Sequence, residues 1–187
     1  MRTVYILSTG GTIEKVYSEQ TGHVENLRKK VDRYLSRLRL PGTRVHIVPL
    51  MNKDSLEMTE ADRARVLRAV RKVLPHRGPI VITHGTDTLV DTGKLLKENL
   101  PHLQVPIVLT GAMTPLGFEA SDGLQNLTES LMASRLLPPG VYVVIHGQIF
   151  PVDAVRKDRR RARFVWIRNS QKPPSKARKS AFAPRRG

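Results

Sequence analysis

The sequence predicts a doubly wound α/β fold with a mostly parallel sheet, and three observations predict it. Near-continuous apolar runs recur near residues 3–8, 44–48, 79–83, 105–109 and 141–145, the pattern of strands covered on both faces. Segments with helical spacing of apolar residues separate them, as βαβ units require. Three of the runs are also followed by polar motifs. Thr9-Gly10-Gly11-Thr12 follows Val4-Tyr5-Ile6-Leu7, and Lys53-Asp54-Ser55 comes shortly after Val45-His46-Ile47-Val48. His84-Gly85-Thr86-Asp87-Thr88 comes after Ile80-Val81-Ile82. The C-terminal strand ends of an open parallel sheet share one edge, where ligands bind, so these turns are expected to converge on one crevice.

Taken in order, residues 3–8 read as a β-branched and aromatic strand. Leu27, Val31, Leu35 and Leu38 then follow helical spacing, and Pro41-Gly42 stops the helix. After the second strand, Thr59 reads as an N-cap with Asp62 three positions on. Val66, Leu67, Val70, Val73 and Leu74 form the apolar stripe of that helix. Helices near 88–99 and 122–136 lie between the later strands, with Pro101 and Pro138-Pro139 at the joins. Ser121 reads as the N-cap of the last helix. Arg163–Ile167 is a candidate for one more short strand. The expected result is a three-layer sandwich of the Rossmann or flavodoxin-like type: one domain over residues 1–168, then a basic, disordered tail at 169–187.

A chain of 187 residues with 40% hydrophobic content is long enough to bury one substantial core. No run approaches the ~18 apolar residues of a membrane span, and the N-terminal apolar stretch is too short for a secretory signal. Without cysteine the chain has no disulfide, thiolate nucleophile or thiolate metal site. Cytoplasmic residence is the expectation. The net charge of +16 suggests nucleic acid, but thirteen Lys or Arg face a single acid, Asp158, between Arg156 and Gly187. Twelve of the sixteen net charges therefore lie there, and the rest of the chain is only mildly basic.

Each motif has a structural reading beside a functional one. The glycines after the first strand allow a sharp turn and close approach of a ligand to the main chain. They match neither the dinucleotide nor the P-loop pattern. Asp87 could cap the following helix, and His84 reads as structural. Asp54 and Ser55 read equally as loop or binding residues, and Lys157 alone reads as a surface lysine.

Together the motifs resemble the asparaginase family, the bacterial and archaeal type built on a threonine nucleophile. Thr-Gly-Gly-Thr-Ile stands at Thr9–Ile13 and His-Gly-Thr-Asp-Thr at His84–Thr88. Gly-Ala-Met, followed by Ser-Asp-Gly and Asn-Leu, stands within Gly111–Leu127. The resemblance implies that Thr12 attacks the substrate amide and that Tyr17, on a mobile loop, closes over the substrate and helps activate it. It implies that Ser55 binds the α-carboxylate, and that Thr86 and Asp87 supply the second catalytic threonine and the grip on the amino group. Lys157 falls on the family's catalytic lysine. Gly11 and Asp54 join the substrate-binding set. No metal or cofactor is implied.

The expected reaction converts L-asparagine, with glutamine as an alternate, to L-aspartate and ammonia. A threonine hydroxyl needs a base, and Tyr17 or Lys157 must be tuned by its surroundings to serve; Lys157 paired with Asp87 and Thr86 would form such a relay. Backbone N–H groups near Gly11 or Thr86 are expected to stabilise the oxyanion. The resemblance corresponds to the first of the family's two domains, a short form without the C-terminal domain that completes a neighbour's site. Leu56 stands where many members carry a polar substrate-binding residue. A homodimer or homotetramer is expected, because a lone first domain leaves its crevice open to water. Nucleic-acid binding through the basic tail and hydrolysis of another small carboxamide are the alternative readings.

Overall fold

The computed structural model describes residues 2–25 and 31–167. Strand β1 (Arg2–Gly10) leads to a small ladder of β2 (Val16–Tyr17) and β3 (Val24–Glu25), then α1 (Val31–Leu35) and β4 (Thr43–Lys53). Next come α2 (Glu60–Val73), β5 (Ile80–Thr83), α3 (Leu89–Asn99), β6 (Pro106–Thr110), α4 (Gly123–Leu136) and β7 (Gly140–Ile145). The described part closes with β8 (Gln148–Pro151), β9 (Val155–Asp158) and β10 (Arg163–Trp166).

The main sheet runs β4-β1-β5-β6-β7-β8. Its first five strands are parallel and β8 pairs antiparallel with β7. From β1 the chain goes out to β4 on one side and returns to β5 on the other, so the crevice for ligands opens between the C-terminal ends of β1 and β5. The doubly wound α/β expectation is borne out.

Period-two alternation divides the core between the two sheet faces. Ile80 and Ile82 of β5, Ile107 and Leu109 of β6, and Val141 and Val143 of β7 face α2 and α3. Val81, Val108 and Val144 face α1 and α4 with Val4 and Ile6 of β1. Each fully buried side chain of this size contributes about 1.5–3 kcal/mol. Helix α2 has the expected cap, since Thr59 accepts from Asp62 N while Asp62 accepts from Thr59 N.

Several elements differ from expectation. Strand β4 continues past Val48 to Lys53, with a shift in pairing between Ser8↔Pro49 and Gly10↔Lys53. Helix α1 is short, and the part of the expected helix at 26–30, with Leu27, lies outside the described residues. The N-cap of α4 is Asp122, while Ser121 Oγ accepts from Gly123 N. Strand β8 was not expected. His146 and Gly147, at φ 51° and 71°, make a two-residue turn of the primed kind that joins antiparallel strands. The run 163–167 supplies β10, paired with β9 in its own ladder. The expected tail at 169–187 lies outside the described residues. Among those described, no helix is long and apolar enough to cross a membrane.

Candidate active site

The three turns meet because glycines let their backbones touch. Gly11 has φ 78°, and a Cβ there would fall on the Gly85 backbone. A Cβ on Gly85 would in turn lie 2.6 Å from Ser55 Oγ. Gly11 N–H donates to Lys53 O at 2.8 Å, tying the first turn to the end of β4. Of the amides near the first turn, that of Gly11 is therefore already engaged. Thr12 opens a 3-10 turn, Thr12–Glu14, directly beside the Gly11–Gly85 contact, and is partly exposed.

Lys157 reaches this point from the far end of the described chain. Its Nζ donates to Thr86 Oγ1 at 2.7 Å and to Asp87 Oδ1 at 3.0 Å. The β9–β10 hairpin holds it there. Val155, on the same face of β9 as Lys157, is buried in the core with Phe164, and the Trp166 ring packs on Phe150 at 5.0 Å. Asp87 is therefore no helix cap; Thr88 takes the N-cap position of α3, and Thr88 Oγ1 donates to Ser55 O at 2.8 Å.

Ser55 is 1% exposed, and its Oγ has no hydrogen-bond partner among the described residues. An unsatisfied buried hydroxyl costs about 1–3 kcal/mol, which a ligand oxygen at this point would recover. Asp54 accepts from Lys15 Nζ at 2.8 Å and from Leu56 N at 3.1 Å. The Lys15 hydrogen bond holds its carboxyl below the ordinary value, against the opposing effect of burial. Tyr17 stands apart from the cluster. It lies on β2, is 59% exposed, and no hydrogen bond joins it to Thr12 in this conformation. Leu56 is also exposed.

His84 lies in the core below the site. Its Nδ1 donates to Gly85 O at 2.8 Å, which leaves Nε2 to accept from Thr92 Oγ1 at 2.9 Å. Burial lowers its pKa from 6.5 to about 4, so it is neutral and braces the turn. Because the unfolded chain takes up this proton more readily, stability is full above about pH 6.5. It falls as the pH drops towards 4, by roughly 3 kcal/mol for this group. The expected NMR titration shows a neutral His84 imidazole at pH 5; a midpoint near 6.5 contradicts the assignment.

The Gly111–Leu127 block supports the site from beneath. Burial opposes ionisation of Asp122, yet the amides of Met113 and Thr114, with His146 and Asn126, outweigh it and hold the carboxyl below its ordinary value. His146 Nε2 lies 2.7 Å from Asp122 Oδ2, and Asn126 Oδ1 accepts from His146 N.

Three participants were not anticipated. Lys15 ties down Asp54. Arg159 Nε lies 3.4 Å from Asp87 Oδ1, and its only sequence signal is a spacing of two from Lys157. Asp122 was read as part of a motif and not as the anchor of its loop. Among the described residues no group of three His, Asp or Glu side chains is arranged to hold a metal ion. A cavity of about 490 Å³ opens at the opposite end of the strands, lined by Arg2, His76, Arg77 and Arg135, and contains none of the motif residues.

The comparisons with known proteins point to one family. The L-asparaginase of Thermococcus kodakarensis is 32% identical over 77% of this chain and 44% of its own length. L-asparaginase 1 of Escherichia coli is 32% identical over 73% and 41%. The solved thermostable L-asparaginase from Thermococcus kodakarensis matches with a TM-score of 0.78 over 88% of this chain and 51% of that one. A probable cytoplasmic L-asparaginase from Campylobacter jejuni matches with a TM-score of 0.68 at 25% identity, over 84% and 48%. This chain thus spans about half the length of these relatives. The family model for the N-terminal part of asparaginase matches residues 3–174, and the chain belongs to the asparaginase family.

Proposed function

We propose that this chain hydrolyses the side-chain amide of L-asparagine to L-aspartate and ammonium through an acyl-enzyme on Thr12. The observation that carries the reading is Lys157 Nζ, held within hydrogen-bond distance of both Thr86 Oγ1 and Asp87 Oδ1. An ammonium group so placed can pass a proton by way of the Thr86 hydroxyl, and such acid–base assistance is worth about 10²–10⁴ in rate.

In this reading the unpartnered Ser55 hydroxyl donates to the substrate α-carboxylate, and Asp87 accepts from the α-ammonium. Asp54 shapes the same wall through its bonds to Lys15 and Leu56. Thr12 Oγ attacks the amide carbon, forming a C–O bond as its proton passes to the Tyr17 phenolate oxygen, since Lys157 as an ammonium has no lone pair to accept it. The tetrahedral oxyanion is met by backbone amides at Thr12 and Thr86, in place of the engaged Gly11 amide. The C–N bond breaks as the leaving nitrogen takes up a proton from Lys157 by way of Thr86 and departs as ammonia. Water then adds to the ester, returns a proton to Lys157 and frees Thr12, which recovers its proton from Tyr17. Tyr17 takes part only after its loop moves inward.

The working domain in this reading is residues 1–168. The open crevice and the exposed Tyr17 favour a homodimer or homotetramer. The Campylobacter relative's description as probably cytoplasmic favours the same compartment for this protein. Ammonium release from L-asparagine by the purified chain, with light scattering on the same sample, is the test. Robust release from an oligomer is expected. No release from L-asparagine, L-glutamine or other ω-amides overturns the activity, and release by a monomer removes the oligomer alone.

A further inference from the structure

We propose that Arg159 sets the substrate class of this site. It biases the crevice towards ω-amides that carry a carboxylate but no free α-ammonium, such as succinamate, relative to zwitterionic L-asparagine. The inference rests on the amidase reading above and deepens it.

Arg159 Nε lies 3.4 Å from Asp87 Oδ1, the same oxygen that accepts from Lys157 Nζ at 3.0 Å. One carboxylate thus serves two cations. Lys15 and Asp54 form a balanced pair nearby, while Lys157 and Arg159 against Asp87 leave one positive charge in excess at that carboxylate. Ser55 adds a hydroxyl with no partner among the described residues. The complementary ligand group is an anionic oxygen. A substrate ammonium must instead displace Arg159 from Asp87 or share the carboxylate with two like charges.

The position of Arg159 is built into the fold. It begins the 3-10 turn Arg159–Arg161 that joins β9 to β10, and Asp158 caps that turn by accepting from Arg161 N at 3.3 Å. The Arg159 side chain is 66% exposed, so water and salt screen its influence and keep it modest.

The test compares kcat/KM for succinamate and L-asparagine in the wild type, Arg159→Gln and Arg159→Lys. In Arg159→Gln the ratio should move towards L-asparagine by about fivefold, the effect of one unit charge near 4 Å under water-like screening. Arg159→Lys should keep most of the wild-type ratio, and about 0.5 M salt should shrink the difference between wild type and Arg159→Gln. A structural role would give neither the rescue by lysine nor the salt dependence. Calorimetric binding of succinate and L-aspartate measures the same preference without turnover. If no amide is hydrolysed but the binding ratio shifts, the amidase reading falls and Arg159 stands. If amides are hydrolysed and both ratios stay put, Arg159 falls alone. Failure to bind either ligand overturns both.

Discussion

Thr12→Ala is expected to lower ammonium release from L-asparagine by at least about a thousandfold, the scale on which loss of a nucleophile acts. Thr12 opens its 3-10 turn at the surface of the crevice and is only partly buried. Removing its hydroxyl and methyl therefore leaves the core intact, and the thermal midpoint should move by no more than about 2 °C. This pairing of outcomes separates a chemical role from a structural one. Activity within about tenfold of the wild type would show that another group attacks the amide. A large fall in midpoint would show that Thr12 supports the turn instead.

The second large effect concerns a residue that takes no part in the chemistry. Gly11→Ala should destabilise the protein by about 4 kcal/mol or more, in the range reached only by severe mechanisms, and should abolish activity with it. Two penalties combine here. The left-handed φ of 78° disfavours any Cβ, and that Cβ would fall on the Gly85 backbone. Backbone cannot rotate aside as a side chain can, so the first and third turns must separate. The chemical-denaturation midpoint checks this. An unchanged midpoint with full activity would mean that the turns do not depend on their close approach.

The fold was legible because its strands are buried on both faces and carry unbroken apolar runs, with Thr59 and Asp62 marking the start of α2 by their chemistry. The β7–β8 hairpin was hidden for the opposite reason. Its turn uses His146-Gly147 where Asn-Gly would have announced it, and Gln148–Pro151 is too short to show a period. Within the site, residues at strand ends were readable because the parallel sheet dictates where strand ends go. Lys157 was legible only through the family pattern, since its neighbours give it the look of a surface lysine. Arg159 had only its spacing of two from Lys157. Its importance comes from a hairpin turn that aims one member of an arginine run at Asp87, and sequence gives no means of choosing among three adjacent arginines.

The hairpin that carries Lys157 has a further consequence. Thr86 and Lys157 are 71 positions apart in the chain, and the element that closes this gap is anchored by Phe164 in the core and by Trp166 against Phe150. The reach of Lys157 Nζ to Thr86 is thus calibrated by aromatic packing in the core. A seating error of about 1 Å in those rings would pull Nζ out of register with Thr86, and displacements of that size can remove about a hundredfold in rate. Under the proposed activity, inherited variation in the interior, at positions outside the crevice, would therefore tune turnover while leaving every motif residue in place.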